Sequence, residues 1–235
     1  MASPTVTLTF DNGPWPGVTD RILDILADRS ILTTFFVVGK QLERPGARPL
    51  AERAVGEGHW IGNHSYTHRV ALGELDDPLL IDREIDACEA LLDGLRHPHR
   101  LFRPFGNGGV IDHRLLGAYA VRRLAAAGST CVLWDSVPHD WDDPTGWVDR
   151  AMADITTTDH CVVVLHDLPG GALNRLDEFL DRLTAVGANI VQDFPDRCVI
   201  VRDGQRTAAF AGCFEGGADH RKDHHDEGEG PDDGS

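Results

Sequence analysis

The chain reads as an α/β protein built on a parallel sheet, either open or closed into a barrel. Two observations predict it: short β-rich runs alternate with longer segments of helical spacing, and the side chains able to do chemistry gather where those runs end. No repeat of fixed period and no Pro-, Gly- or Ser-rich linker divides the chain. With 235 residues, 41% of them hydrophobic, it can bury the core of one domain.

The strand-like runs are Val6 to Phe10, Thr34 to Val38, Trp60 to Asn63, a short Leu101-Phe102, Thr130 to Trp134, Cys161 to His166 and Ala188 to Val191, each rich in β-branched or aromatic residues. Between them, Val18 to Asp28 places Ile22, Ile25 and Leu26 on one helical face. Leu79 to Leu95 does the same with Leu80, Ile85, Cys88, Leu91, Leu92 and Leu95. Asp112 to Ala127 and Leu173 to Val186 are two further helices, with Gly128 and Gly187 just past their ends, where a left-handed residue closes a helix.

Charge and composition exclude several function classes. A formal net charge of -16 with no Lys/Arg cluster argues against nucleic acid, and no apolar run is long enough to cross a membrane. The chain enters a strand pattern almost at once after Met1, leaving no room for a signal peptide, so the expected location is cytoplasmic. Five cysteines without a C-x-x-C pair read as buried reduced thiols. Only residues 215–235 change character: eight acidic and two basic residues, with His220, His224 and His225 and no large apolar side chain, predict a disordered tail.

Five strand ends each carry a group that can act. Asp11-Asn12 follows the first strand, His64 and His68 the third, Arg103 the Leu101-Phe102 run and Asp140-Trp141 the run ending at Trp134, while His166 ends its own strand. In parallel α/β folds that end of the sheet holds the active site. Each residue also has a plain structural reading. Arg103 could be an ordinary ion pair, Asp140 a helix cap ahead of Asp142-Asp143-Pro144, and Trp134 and Trp141 core. Asp135 competes with Asp140 as a partner for His166; His59, His97, His99 and His113 read as structural or solvated, and His139 stands next to the site without an assigned role.

The residues resemble the polysaccharide deacetylases of the NodB-homology type, carbohydrate esterase family 4. Thr9-Phe10-Asp11-Asn12-Gly13-Pro14 stands for the motif T-F-D-D-G-P, and His64-Ser65-Tyr66-Thr67-His68 for H-S/T-x-x-H. Arg103-Pro104-Phe105-Gly106 is a shortened R-x-P-x-G, Asp140-Trp141 ends the fourth motif, and Val164-Leu165-His166 answers to L-x-H. Order and spacing agree from residue 5 to about 195.

The resemblance implies a distorted (β/α) barrel over residues 1–205 and a metal-dependent hydrolase that removes an N-acetyl or other acyl group from an amino sugar or other carbohydrate. It assigns Asp11 as general base paired with Arg103, His166 as general acid oriented by Asp140, and Phe105, Trp141 and Leu165 to the substrate pocket. A divalent metal, zinc with cobalt or nickel as alternatives, would be held by Asn12, His64 and His68. Two imidazoles four residues apart suit one turn and one ion. Where the family has Asp, this chain has Asn12, which forfeits a charge-to-charge bond and is expected to weaken the metal. Two other readings follow: a catalytically silent carbohydrate-binding relative, or an amidohydrolase acting on a small amide, formyl or ureide substrate.

Overall fold

A computed structural model describes residues 3–214. The acidic segment 215–235 lies outside the described residues. The strands are β1 (Thr5–Asp11), β2 (Thr34–Val37), β3 (Trp60–Asn63), β4 (Leu101–Phe102), β5 (Thr130–Val132), β6 (His160–His166), β7 (Asn189–Val191), β8 (Val199–Arg202) and β9 (Gln205–Arg206). The helices are α1 (Thr19–Asp28), α2 (Gly39–Leu42), α3 (Ala47–Gly56), α4 (Pro78–Leu91), α5 (Ala118–Ala126), α6 (Trp147–Ile155) and α7 (Leu176–Ala185).

The sheet order is β6-β1-β2-β3-β4-β5-β8-β9, parallel from β6 to β5 and antiparallel from β5 through β8 to β9. Beyond β5 the chain changes neighbour. The Asp135 and Ser136 N–H groups donate to Val162 O, and Val164 N–H returns to Ser136 O, so the parallel strands curl into a distorted barrel closed between residue 136 and β6. One edge of β1 is shared: Thr5–Thr7 pair with β7 and Thr9–Asp11 with β2, while β6 runs along the other edge for the full length of β1.

Period-two alternation decides what faces where. Val6, Leu8 and Phe10 of β1 and Cys161, Val163 and Leu165 of β6 are fully buried in one cluster with Ile22, Leu23 and Leu26 of α1, Trp147 of α6 and Phe179 of α7. That is the layer between sheet and helices. Thr7, Thr9 and Asp11, and likewise Val162, Val164 and His166, take the opposite faces of the same strands, toward the barrel interior, and all are buried. Parallel strands covered on both sides lack the solvated face of an antiparallel sheet, which is why residues 161–165 of β6 are continuously apolar, whereas β1 alternates because its inner face carries Thr7, Thr9 and Asp11.

Several expected elements end differently. Residues 112–117 are not helical, because Asp112 Oδ1 accepts the Arg114 N–H at 2.9 Å and folds a local turn that competes with a helix; only Ala118–Ala126 remains α-helical. The helix read from Leu79 begins at Pro78, capped by Asp77, whose carboxylate accepts the Leu79 N–H at 2.9 Å, and stops at Leu91. Its buried face carries Ile81, Ile85 and Cys88, whereas Leu80 is 46% exposed. The Leu173 segment opens as a tight helical turn, Ala172–Arg175, before α7. Gly128 and Gly187 hold φ of 70° and 67° just beyond α5 and α7, the left-handed geometry expected of them.

Candidate active site

The inward residues at the carboxyl ends of the strands meet in a cavity of about 260 Å³ whose walls include Asp11, Asn12, His64, His68, Phe105 and His166. Two carboxylates there are each committed to a basic partner. Asp11 Oδ1 accepts from Arg103 Nη1 at 2.9 Å, with the Arg103 side chain fully buried and that of Asp11 4% exposed. The same Nη1 donates to Thr9 Oγ1 at 2.6 Å, and the guanidinium lies 4.2 Å from the Phe36 ring centre. Buried so deeply, this arginine would be costly without its counter-charge.

The second pair is His166 and Asp140. His166 Nδ1–H donates to Asp140 Oδ1 at 2.7 Å, and the His166 backbone N–H donates to Asp140 Oδ2 at 2.9 Å. Burial disfavours the imidazolium, but the hydrogen bond and charge of Asp140, followed by the charges of Asp11 and Asp167, outweigh it and raise the His166 pKa above its ordinary value. With Nδ1 engaged, Nε2 is the nitrogen left for chemistry. Trp141 packs edge-on to the His166 ring at 4.4 Å, with His139 on it at 4.7 Å.

Asp140 is therefore no helix cap. Nor does a side chain cap α6, whose N-cap is Gly146; Asp143 instead holds the turn ahead of it, its Oδ1 accepting the Thr145 and Gly146 N–H groups. Asp135 does not reach His166 either, because its carboxylate pairs with Arg197 at 2.8 Å and accepts the Val162 N–H.

The histidine pair sits on an irregular bend rather than on one helical turn, with Ser65 at φ 64° and His68 at φ 53°. The bend still brings His64 Nε2 and His68 Nε2 to 3.1 Å. His64 Nδ1 donates to the Arg103 carbonyl at 2.8 Å, which fixes the tautomer and leaves a lone pair on Nε2. Burial drives both imidazoles down to about 3, so both are neutral near pH 7. Glu84 of α4 braces the bend by accepting from the Thr67 N–H at 2.8 Å and its hydroxyl at 2.7 Å.

Asn12 lines the same cavity at φ 81°, and its side-chain oxygen is buried without a hydrogen-bond partner. An orphaned carbonyl oxygen beside two neutral imidazoles is a donor set that suits a divalent cation with mixed N and O ligands. Among the described residues no cluster of three or more His, Cys, Asp or Glu side chains could hold an ion, so an amide would have to be the third donor.

Leu165 is not part of the pocket: it is fully buried in the sheet-to-helix layer, as an immediate neighbour of inward-facing His166 must be. Val164, on the same face as His166, takes the wall position. Trp134, Val137, Leu168 and Gly109 complete that wall, with Trp134 Nε1 donating to Gly109 O at 2.9 Å. A Cβ on Gly106 would lie 2.3 Å from the Trp134 ring, so the glycine is what lets this loop lie against it. Phe105 stands edge-on to His68 at 4.4 Å. Sequence reasoning missed Val137 and Leu168, whose side chains carry no chemical signal.

The profile described as polysaccharide deacetylase matches residues 1–120. The chain is also 33% identical over 212 residues to a chitooligosaccharide deacetylase of Sinorhizobium fredii, covering 85% of this chain and 90% of that one. The chain belongs to the polysaccharide deacetylase family. A peptidoglycan-N-acetylglucosamine deacetylase of Bacillus cereus is 31% identical over 166 residues, 69% of this chain and 72% of that one. Among solved structures, a peptidoglycan N-acetylglucosamine deacetylase in complex with 4-naphthalen-1-yl-N-oxidanyl-benzamide superposes with a TM-score of 0.68 at 25% identity, covering 81% of this chain and 86% of the other. Polysaccharide deacetylases thus share this curled barrel, and membership in the family implies a divalent metal in general terms.

Proposed function

We propose that this chain is a metal-dependent deacetylase that hydrolyses the N-acetyl amide of an amino sugar in a chitooligosaccharide- or peptidoglycan-type glycan. The observation that carries the reading is the pairing across one cavity: Asp11 held by Arg103 faces His166 held by Asp140. In it Asp11, with Oδ1 bonded to Arg103 and Oδ2 turned toward His64 at 3.5 Å, takes a proton from the attacking water. His166, its imidazolium favoured by Asp140, gives the Nε2 proton to the leaving amine as the C–N bond breaks. His64, His68 and the orphaned Asn12 oxygen would hold the cation. When bound it supplies Lewis-acid polarisation of the substrate carbonyl and acidifies water. Trp141 and Val137 wall the cavity where the acyl sugar enters.

The test measures acetate released from chitooligosaccharides by metal-stripped protein, with and without added zinc, cobalt or nickel, beside an Asn12→Asp variant. Turnover that a chelator abolishes, and tighter zinc binding by Asn12→Asp in calorimetry, support the reading. No turnover with any of the three ions overturns it and leaves carbohydrate binding without catalysis.

A further inference from the structure

Asp167 follows His166 directly, and beyond its charge favouring the His166 imidazolium it has no part in the chemistry above. It is 1% exposed, and it grips the Asp11-Asn12 loop from two directions. Its backbone N–H donates to the Asp11 carbonyl at 3.2 Å. Its carboxylate Oδ2 accepts the Thr19 hydroxyl at 2.6 Å. That hydroxyl oxygen in turn accepts the Trp15 N–H at 2.7 Å, while Trp15 O accepts the Thr19 N–H at 2.9 Å. Between these anchors Gly13 lies flat on the carboxylate, since a Cβ there would fall 1.9 Å from Oδ2. Asn12, at φ 81°, is the residue spanned by the two grips, and such left-handed backbone outside glycine persists only where its surroundings hold it.

We infer that Asp167 is a positioning residue: it ties the strand end carrying His166 to the loop carrying Asp11 and Asn12, and so fixes the spacing of these groups across the cavity. The inference rests on the deacetylase reading and deepens it. Burial disfavours the carboxylate, and the donors around it are the Thr19 hydroxyl at the start of α1, the Gly13 backbone in the loop it braces and its own backbone N–H. A side chain kept only to fill space would be apolar. Asp167 also acts through others, because it is absent from the cavity walls.

The experiment compares Asp167→Ala, Asp167→Asn and Thr19→Val with the wild type, each checked for folding by circular dichroism. Acetate release from chitooligosaccharide and zinc affinity by calorimetry are the two readouts. Misplacing reacting groups by about 1 Å costs on the order of 10²-fold. Asp167→Ala should therefore lose about that factor in kcat with KM nearly unchanged, and bind zinc more weakly. Asp167→Asn, which keeps an oxygen for Thr19, should recover most of both. Thr19→Val removes the grip without touching β6 and should reproduce part of the loss, which decides the matter if Asp167→Ala does not fold. Folded Asp167→Ala with wild-type kcat and zinc affinity overturns the inference, as does Asp167→Asn failing as badly as Ala. If the wild type binds zinc but turns over no glycan, the deacetylase reading falls alone and zinc affinity decides the positioning role. A wild type with neither property overturns both.

Discussion

Arg103 serves two neighbours with opposite ends of itself: its guanidinium holds Asp11, and its carbonyl fixes the tautomer of His64. A lysine would keep the charge beside Asp11 and Thr9 but lose the second arm of the guanidinium, whose Nη2 donates to Leu133 O at 3.4 Å, and the flat face laid over Phe36. The same economy holds at His166, whose raised pKa comes from Asp140 against the pull of burial. Replacing Asp140 by Asn should lower kcat by roughly 10² to 10⁴-fold. It should also move the alkaline limb of kcat/KM to lower pH, because the imidazolium loses the partner that favours it. A pH–rate profile of Asp140→Asn checks this, and an unmoved alkaline limb would assign that limb to another group. The shift also stabilises the fold below the ordinary histidine value of about 6.5, and that contribution fades as pH rises through the raised one. At this scale much was legible, since Asp11, His64, His68, Arg103, Asp140 and His166 were read from strand ends and do share one site. Asp167 was not, because a carboxyl beside a histidine is an ordinary dipeptide until the fold buries it against Gly13.

Elements were legible in proportion to the size of their buried side chains. Apolar spacing and turn residues expose α1 and α4, whereas α3 buries only Ala47, Ala51 and Ala54, too small to stand out as an apolar stripe. The Asp112 turn replaced the first part of an expected helix because one side-chain hydrogen bond competes locally with helical pairing. Strand β5 was expected to run to Trp134 but stops at Val132, where a register irregularity against β8 precedes the change of neighbour to β6. The layer joining α6 to α7 depends on Trp147, fully buried with its ring 5.2 Å from that of Phe179. Trp147→Ala should cost about 3–5 kcal/mol of stability through the cavity it leaves. Urea unfolding would read that as a lower midpoint at unchanged slope. Trp147 does not line the active-site cavity, so turnover per folded molecule should hold.

For the whole molecule, alternation of strands and helices pointed to the parallel sheet, but not to its closure through Ser136 or to the antiparallel edge of β8 and β9. The closure and the β5–β8 pairing join segments with no local signal for each other, whereas β8 and β9 are joined by Asp203-Gly204, a two-residue hairpin turn with φ 48° and 82° that is visible in the sequence. β1 lies at the centre of the result, bonded along both edges by three other strands, so its amide protons should exchange with deuterium among the slowest in the chain. Exchange in β1 as fast as in two-residue β9 would contradict that. The shared edge of β1 also has a consequence for how a ribosome delivers the protein. β1 is made before β6 and β7, and β2 can cover part of one edge soon after it. Yet Thr9 meets Val163 across a gap of 154 residues. At about 5 to 20 residues per second, β1 waits roughly 8 to 31 s for β6 and longer for β7. During that interval an apolar strand with a bare edge must be kept from pairing with another nascent chain. Slowed elongation between β2 and β6 is where this protein would be most exposed to aggregation.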